Sequence, residues 1–134
     1  MSHLETIQTI YQAFGRGDIP TIFQHLDEQI EWEHDFEGAE AYGIPWVRPG
    51  TGTRHVMGFF EALGALEFHS FVPVSLLASD TQVAAVISLE VTAKATGKRF
   101  KEYEMHLWTF GPSGKVTRFR HFVDTIKHQQ AAKR

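Results

Sequence analysis

Three histidines and one carboxylate occupy positions from which strands of a sheet can aim them at a common point. His34 follows Ile30 and Trp32 at a spacing of two, and a strand puts all three on one face. By the same rule His106 shares a face with Glu104, Trp108 and Phe110. An imidazole titrates near pH 6.5, which suits removal of a proton next to a carbonyl group, and burial or a carboxylate partner tunes it. His34 is therefore assigned as the general base and His106 as the group that positions or polarises a substrate oxygen. Asp124 lies at the end of the last apolar run, where a buried carboxylate needs a partner, and is assigned to orient an imidazole. Strict alternation puts Arg118, Arg120, Phe122 and Asp124 on one face and Phe119, His121 and Val123 on the other. His121 is thus the rival of Asp124 for the same space, and a bulge would be needed for both to reach it.

The walls of such a site are read from aromatic residues. The chain has 13% aromatic content with eleven Phe, which favours a concave, aromatic-lined cavity. Trp32, Tyr42, Trp46, Phe59, Trp108 and His121 are expected to contact substrate, Tyr42 and Trp46 from a Gly- and Pro-rich stretch over 35–53 that reads as a lid. Glu31, Glu33, Asp35 and Glu37 read as a solvated strand edge, and Glu102 and Glu104 as ion-paired to Arg118 or Arg120 on the next strand. No His-x-x-x-His or compact carboxylate pattern is present, so neither a metal nor an organic cofactor is expected.

Positioning these groups falls to recognisable elements. Ser2 with Glu5 forms a capping box before Ile7, Ile10, Tyr11 and Phe14, which repeat at helical spacing. Gly15 and Gly17 stop that helix, Asp18 caps a second one with Pro20 in its first turn, and Thr53 opens a third carrying Val56, Phe59, Phe60 and Leu63. Four β-rich runs follow over 67–78, 82–94, 99–110 and 115–126, separated by Ser79-Asp80, Thr96-Gly97 and Pro112-Ser113-Gly114. Pro73 marks an edge or a bulge. With 30–34 as a further strand, the chain reads as α+β, with three N-terminal helices packed on a curved antiparallel sheet. A single domain over 1–126 with a polar tail over 127–134 accounts for the 134 residues.

Residues 11–20, the 52–63 segment with Phe59 and Phe60, and His106 to Phe110 followed by Gly114, Lys115 and Val116 together resemble the nuclear transport factor 2-like superfamily. The resemblance covers almost the whole chain and implies a cone-shaped fold around one pocket. In its ketosteroid isomerases an Asp moves a proton while a Tyr and a protonated Asp hold the dienolate oxygen. Ungapped matching puts those positions at His34, Ile10 and His106 respectively. Tyr11 is one residue from the tyrosine position, about 100° round a helix. The Arg-x-Asp of limonene epoxide hydrolase has no counterpart over 99–110. Scytalone dehydratase and SnoaL-type cyclases are closer in kind, and the chain is most similar to SnoaL-like or ketosteroid isomerase-like members. The resemblance implies proton-transfer chemistry, isomerisation, cyclisation or dehydration, on a small apolar carbonyl compound. A non-catalytic binding or dimerisation module of the same fold is the alternative.

Composition narrows the partners. A net charge of −3 without a basic stripe argues against nucleic acid. The absence of cysteine excludes disulfides, thiol catalysis and Cys-ligated zinc. No apolar run of membrane-spanning length and no leader are seen, so a cytoplasmic protein is expected. Met105 and Leu107, with Val83, Ala85 and Ile87 or their neighbours, imply an apolar outer face of the sheet. Relatives pair through that side, which implies a homodimer.

Overall fold

The computed structural model describes residues 1–34 and 43–133, with elements in the order α1 (His3–Gly15), α2 (Ile19–Phe23), β1 (Leu26–His34), β2 (Gly50–Thr51), α3 (Thr53–Ala62), β3 (Leu66–Ala78), β4 (Gln82–Ala93), β5 (Lys98–Phe110), β6 (Val116–Phe122) and α4 (Thr125–Ala132). The capping box forms as expected: Glu5 N–H donates to Ser2 Oγ at 3.1 Å, and Ser2 N–H to Glu5 Oε1 at 3.2 Å. Asp18 caps α2 through Thr21 N–H at 3.2 Å. The third helix is capped by Gly52, at φ 92°, rather than by Thr53.

The strands form one six-stranded sheet in the order β2-β1-β6-β5-β4-β3. Neighbours are antiparallel except β1 and β6, which run parallel and set Trp32 beside Phe119 and His34 beside His121. The sheet is thus mixed, because β1 is reached by the connection from α2 rather than by a hairpin. Pro73 lies in the edge strand, where the register slips between Pro73 and Ser75, as its missing N–H demands.

Period-two burial fixes which side chains meet the helices. Along β4 every second residue is buried, and Val83, Ala85 and Ile87 lie on the core face together with Trp32, Trp108 and Phe119. Of the two sets expected for the outer face, those three are thereby excluded and their neighbours Ala84, Val86 and Ser88 lie there. The exposed large apolar residues of the sheet are Val72, Val74 and Leu77 of β3, Tyr103 and Met105 of β5, and Phe122 of β6. Helix α1 covers the core with Ile7, Ile10, Tyr11 and Ala13, and α3 with Val56.

Two expectations change at the far end of the sheet. Ile44, Trp46 and Val47 are buried in a second apolar cluster with Leu66, Leu89, Val91 and Ala131, so Trp46 is part of the core rather than a mobile cover. Tyr42 lies outside the described residues. Residues 127–132 do not form a frayed tail: they belong to α4, which packs on the sheet and buries His128, 1% exposed. The hydropathy of that segment hides this, because one buried imidazole and two alanines replace the usual apolar stripe.

Trp46 Nε1–H donates to His128 Nδ1 at 2.8 Å, both residues being buried. Trp46→Phe keeps the ring and leaves that nitrogen unpaired, and should cost about 1–3 kcal/mol in chemical denaturation. An unchanged midpoint would show that the bond contributes nothing.

Candidate functional site

The cavity between helices and sheet has a volume of about 60 Å³ and is walled by Trp32, Trp46, Phe59, Trp108, Phe119 and other apolar side chains. Room for a water needs roughly 10–15 Å³ of such space, so a few waters fit and an organic ring enters only if the half-buried Phe side chains move. Its polar lining comes from Tyr11, Glu104, His106, His121 and His128. Strand β5 supplies Glu104, His106 and Trp108 by alternation, β6 supplies Phe119 and His121, and α1 and α4 supply Tyr11 and His128.

Glu104 is the hub. Its Oε1 receives His106 Nε2 at 3.0 Å and His121 Nε2 at 2.9 Å, and its Oε2 lies 3.7 Å from His128 Nε2. Burial alone would raise the Glu104 carboxyl; the charge of His121 and the hydrogen bonds from His106 and His121 overcome this and hold it well below the usual range. An ionised carboxylate only accepts, so both Nε2 atoms carry their protons. The indole N–H of Trp108 donates to Tyr11 Oη at 2.9 Å, and the Tyr11 hydroxyl donates in turn to His106 Nδ1 at 2.6 Å. Burial lowers the His106 pKa against the opposing bond to Glu104, and burial raises that of Tyr11. A neutral His106 and a protonated phenol follow. On His121, Nδ1 is buried and has no partner among the described residues.

A second carboxylate stands beside the hub. Glu102 accepts His128 Nε2–H on Oε1 and the backbone N–H of Asp124 on Oε2 at 2.9 Å. Burial raises its pKa despite the His128 bond. Glu104, His106 and His121 form one set with metal-ligand donor types, and Glu102, Glu104 and His128 another, each with its atoms within 4.8 Å. The imidazole–carboxylate hydrogen bonds account for that spacing without an ion.

The assigned residues fare unequally. His106 and His121 meet in the cavity with Trp32, Trp46, Phe59 and Trp108. His34 does not line it; its ring lies beside that of His121, centroids 5.3 Å apart, and the Arg48 backbone approaches it without a hydrogen bond of good geometry. Burial pushes its pKa down to about 3, aided by the charge of His121, which makes it a poor base at neutral pH. Asp124 is exposed and caps α4 through Lys127 N–H at 3.3 Å, so it orients no imidazole. Glu104 takes that part, while Arg118 and Arg120 pair with Glu33 at 3.3 and 3.6 Å on the outer face, not with Glu102 or Glu104. Tyr11, Glu104 and His128 were missed; for Tyr11 and Glu104 the signal was present, in the helical stripe and in the face shared with His106.

Stability should depend on pH through the depressed imidazoles. The folded pKa values of His34 and His106 lie below the unfolded value of 6.5, so the unfolded chain binds more protons as pH falls below it. Stability is full above about pH 6.5 and falls by up to about 1.4 kcal/mol per pH unit per histidine, for His34 down to its folded value. Glu102, raised in the fold, acts oppositely above the carboxylate range. His34→Phe should flatten the acid limb of a denaturation-midpoint profile; an unaltered slope would contradict the depressed pKa.

Known proteins share this arrangement of elements. A Burkholderia pseudomallei NTF2-like protein of unknown function superposes with a TM-score of 0.85 at 23% identity, covering 100% of both chains. A Mesorhizobium loti protein described as a SnoaL-like polyketide cyclase gives 0.74 at 22% identity, over 92% of this chain and 100% of that one. The O-phospho-L-seryl-tRNA:Cys-tRNA synthase 1 of Methanoregula boonei is 28% identical over an alignment of 142 positions that covers 91% of this chain, and the chain spans only 36% of that relative's length. The model of the SnoaL-like domain matches residues 7–119, and the chain belongs to that family.

Proposed function

We propose that the protein catalyses proton transfer, as an isomerase, cyclase or dehydratase, on a small apolar carbonyl compound, with His121 as general base. The observation that carries this is the unpaired, buried Nδ1 of His121 on a ring whose Nε2–H is committed to Glu104. That is a base with an orienting carboxylate on its other nitrogen, in a pocket whose walls are mostly aromatic and aliphatic. The carbon acid would give its proton to Nδ1, and the Tyr11 hydroxyl, released from His106 by rotation, would donate to the developing enolate oxygen. In the ligand-free site His106 Nδ1 holds the Tyr11 hydroxyl in the cavity, which retains for His106 a positioning part before substrate enters. Membership of the SnoaL-like family, and the cyclase description of the Mesorhizobium loti neighbour, support this class of reaction. Hydrophobic burial would supply affinity and the aromatic walls would favour a planar ring.

The exposed apolar residues of β3, β5 and β6 support a homodimer through the outer face of the sheet. Sedimentation should give twice the chain mass, and Leu77→Asp with Tyr103→Asp should give monomer; a monomeric wild type would refute pairing.

Exchange of the α-hydrogens of 2-tetralone in D2O, followed by proton NMR, tests the catalytic proposal without knowledge of the product. Wild type should accelerate exchange, and His121→Ala should lower it by about 10²–10⁴-fold while leaving tetralone affinity largely intact. Saturable binding without any exchange would refute catalysis and favour a non-catalytic binding module.

A further inference from the structure

Two walls of the cavity, Trp46 and Phe59, also border a second space. It is a cleft of about 430 Å³ lined besides by Arg48, Arg54, His55 and Gly58. Arg54 and Gly58 lie one turn apart on α3, as do His55 and Phe59, so one side of that helix forms a wall. The 45–48 segment forms another. Gly58 leaves the cleft open along the helix, since nothing stands within 4 Å of where its Cβ would be. The two walls are fastened to each other. His55 Nε2 lies 2.8 Å from the Arg48 carbonyl oxygen, which only accepts, so Nε2 carries the proton. The His55 ring fills the space beside Gly50, where a Cβ would collide with it. The backbone at Arg48 is thereby held against the first turn of α3, and two exposed arginines stand on the two walls of one cleft. Among the described residues no carboxylate lines it. The Phe59 ring stands edge-on to that of His121 with centroids 6.1 Å apart, so the cleft begins one aromatic ring away from the proposed base.

We propose that this cleft is a carboxylate subsite and that the substrate is a cyclic or aryl keto acid, whose ring and carbonyl enter the cavity while its carboxylate stays outside with Arg48 and Arg54. For the carbonyl end this rests on the proton-transfer reading above. Charge decides which end enters. Glu104 is ionised and 4% exposed in the cavity lining. A second carboxylate there would lose its water and meet a like charge where screening is weak. At the cleft, two guanidinium groups offer charge-assisted hydrogen bonds, which a planar carboxylate accepts in pairs, within reach of solvent. Attraction at one end and repulsion at the other orient the substrate before it meets His121, which apolar walls alone do not do. Phe59, half-buried between the two spaces, is the side chain whose rotation joins them.

The test compares the binding of 6-carboxy-2-tetralone with that of its methyl ester by isothermal titration calorimetry. Wild type should bind the acid about tenfold more tightly, and the preference should shrink as salt is raised. Combining Arg48→Gln with Arg54→Gln should lower affinity for the acid about tenfold and for the ester by less than about twofold. Equal affinity for acid and ester in wild type, or equal losses for both in the double variant, overturns the proposal. Should neither compound bind, benzoate is titrated into the nitrogen-15-labelled protein. Shifts of the Arg48 and Arg54 side-chain Nε–H signals that chloride at the same ionic strength does not produce then support the subsite, and their absence overturns it. Exchange of the α-hydrogens of both compounds in D2O separates this claim from the one beneath it. An arginine-dependent preference for the acid without accelerated exchange supports the subsite and sinks the proton-transfer reading. Accelerated exchange of the ester with no preference for the acid overturns the subsite and leaves that reading intact.

Discussion

Glu104 is 4% exposed, and much of the surrounding structure keeps its charge satisfied. An ionised carboxylate in an apolar enclosure costs several kcal/mol unless donors replace the lost water. Here two imidazole N–H groups do so on one oxygen, and His128 approaches the other. Two of these three donors are in turn fixed through their other nitrogen, His106 by Tyr11 and Trp108, His128 by Trp46. Satisfying one charge therefore recruits α1, β5, β6, α4 and the 43–49 segment. A network so connected specifies side-chain orientation in a way that an all-apolar core does not.

The same constraint makes the imidazoles chemically unequal. His106 has both nitrogens occupied and sits where burial keeps it neutral. His34 is buried too but has no carboxylate bonded to it among the described residues, and its pKa falls to about 3. Among the described residues, His121 combines a carboxylate on Nε2 with an Nδ1 that has no partner. In the proposed reaction, position in one hydrogen-bonded chain, rather than residue type, would separate base, positioner and packing residue.

The fold was legible in the sequence because each element announces itself locally. The Ser2–Glu5 capping box, Asp18 before Pro20, and the glycines at positive φ in the hairpins, Gly97 at 73° and Gly114 at 84°, all act within a few residues. Face assignment on β5 was equally readable, and it already grouped Glu104 with His106. The Glu104 bond to His121 was less visible, because it depends on the β5–β6 register that sets His106 opposite His121. Tyr11 was discounted by a rotation argument that assumed a fixed helix phase, whereas both Ile10 and Tyr11 reach the cavity. Asp124 looked like an orienter because a carboxylate after apolar residues resembles a strand end; it is a helix cap, and the helix it starts carries His128. No periodicity marks that helix, so its role appears only when the fold closes.

The tautomer of His121 tests the central claim most directly. Nitrogen-15 NMR of the selectively labelled protein at neutral pH should show Nε2 as the protonated, pyrrole-type nitrogen and Nδ1 as the unprotonated, pyridine-type one. Glu104→Gln should lose that fixed preference. A His121 protonated at Nδ1, or averaging rapidly between tautomers in the wild type, would contradict an orienting Glu104 and remove the base from the site.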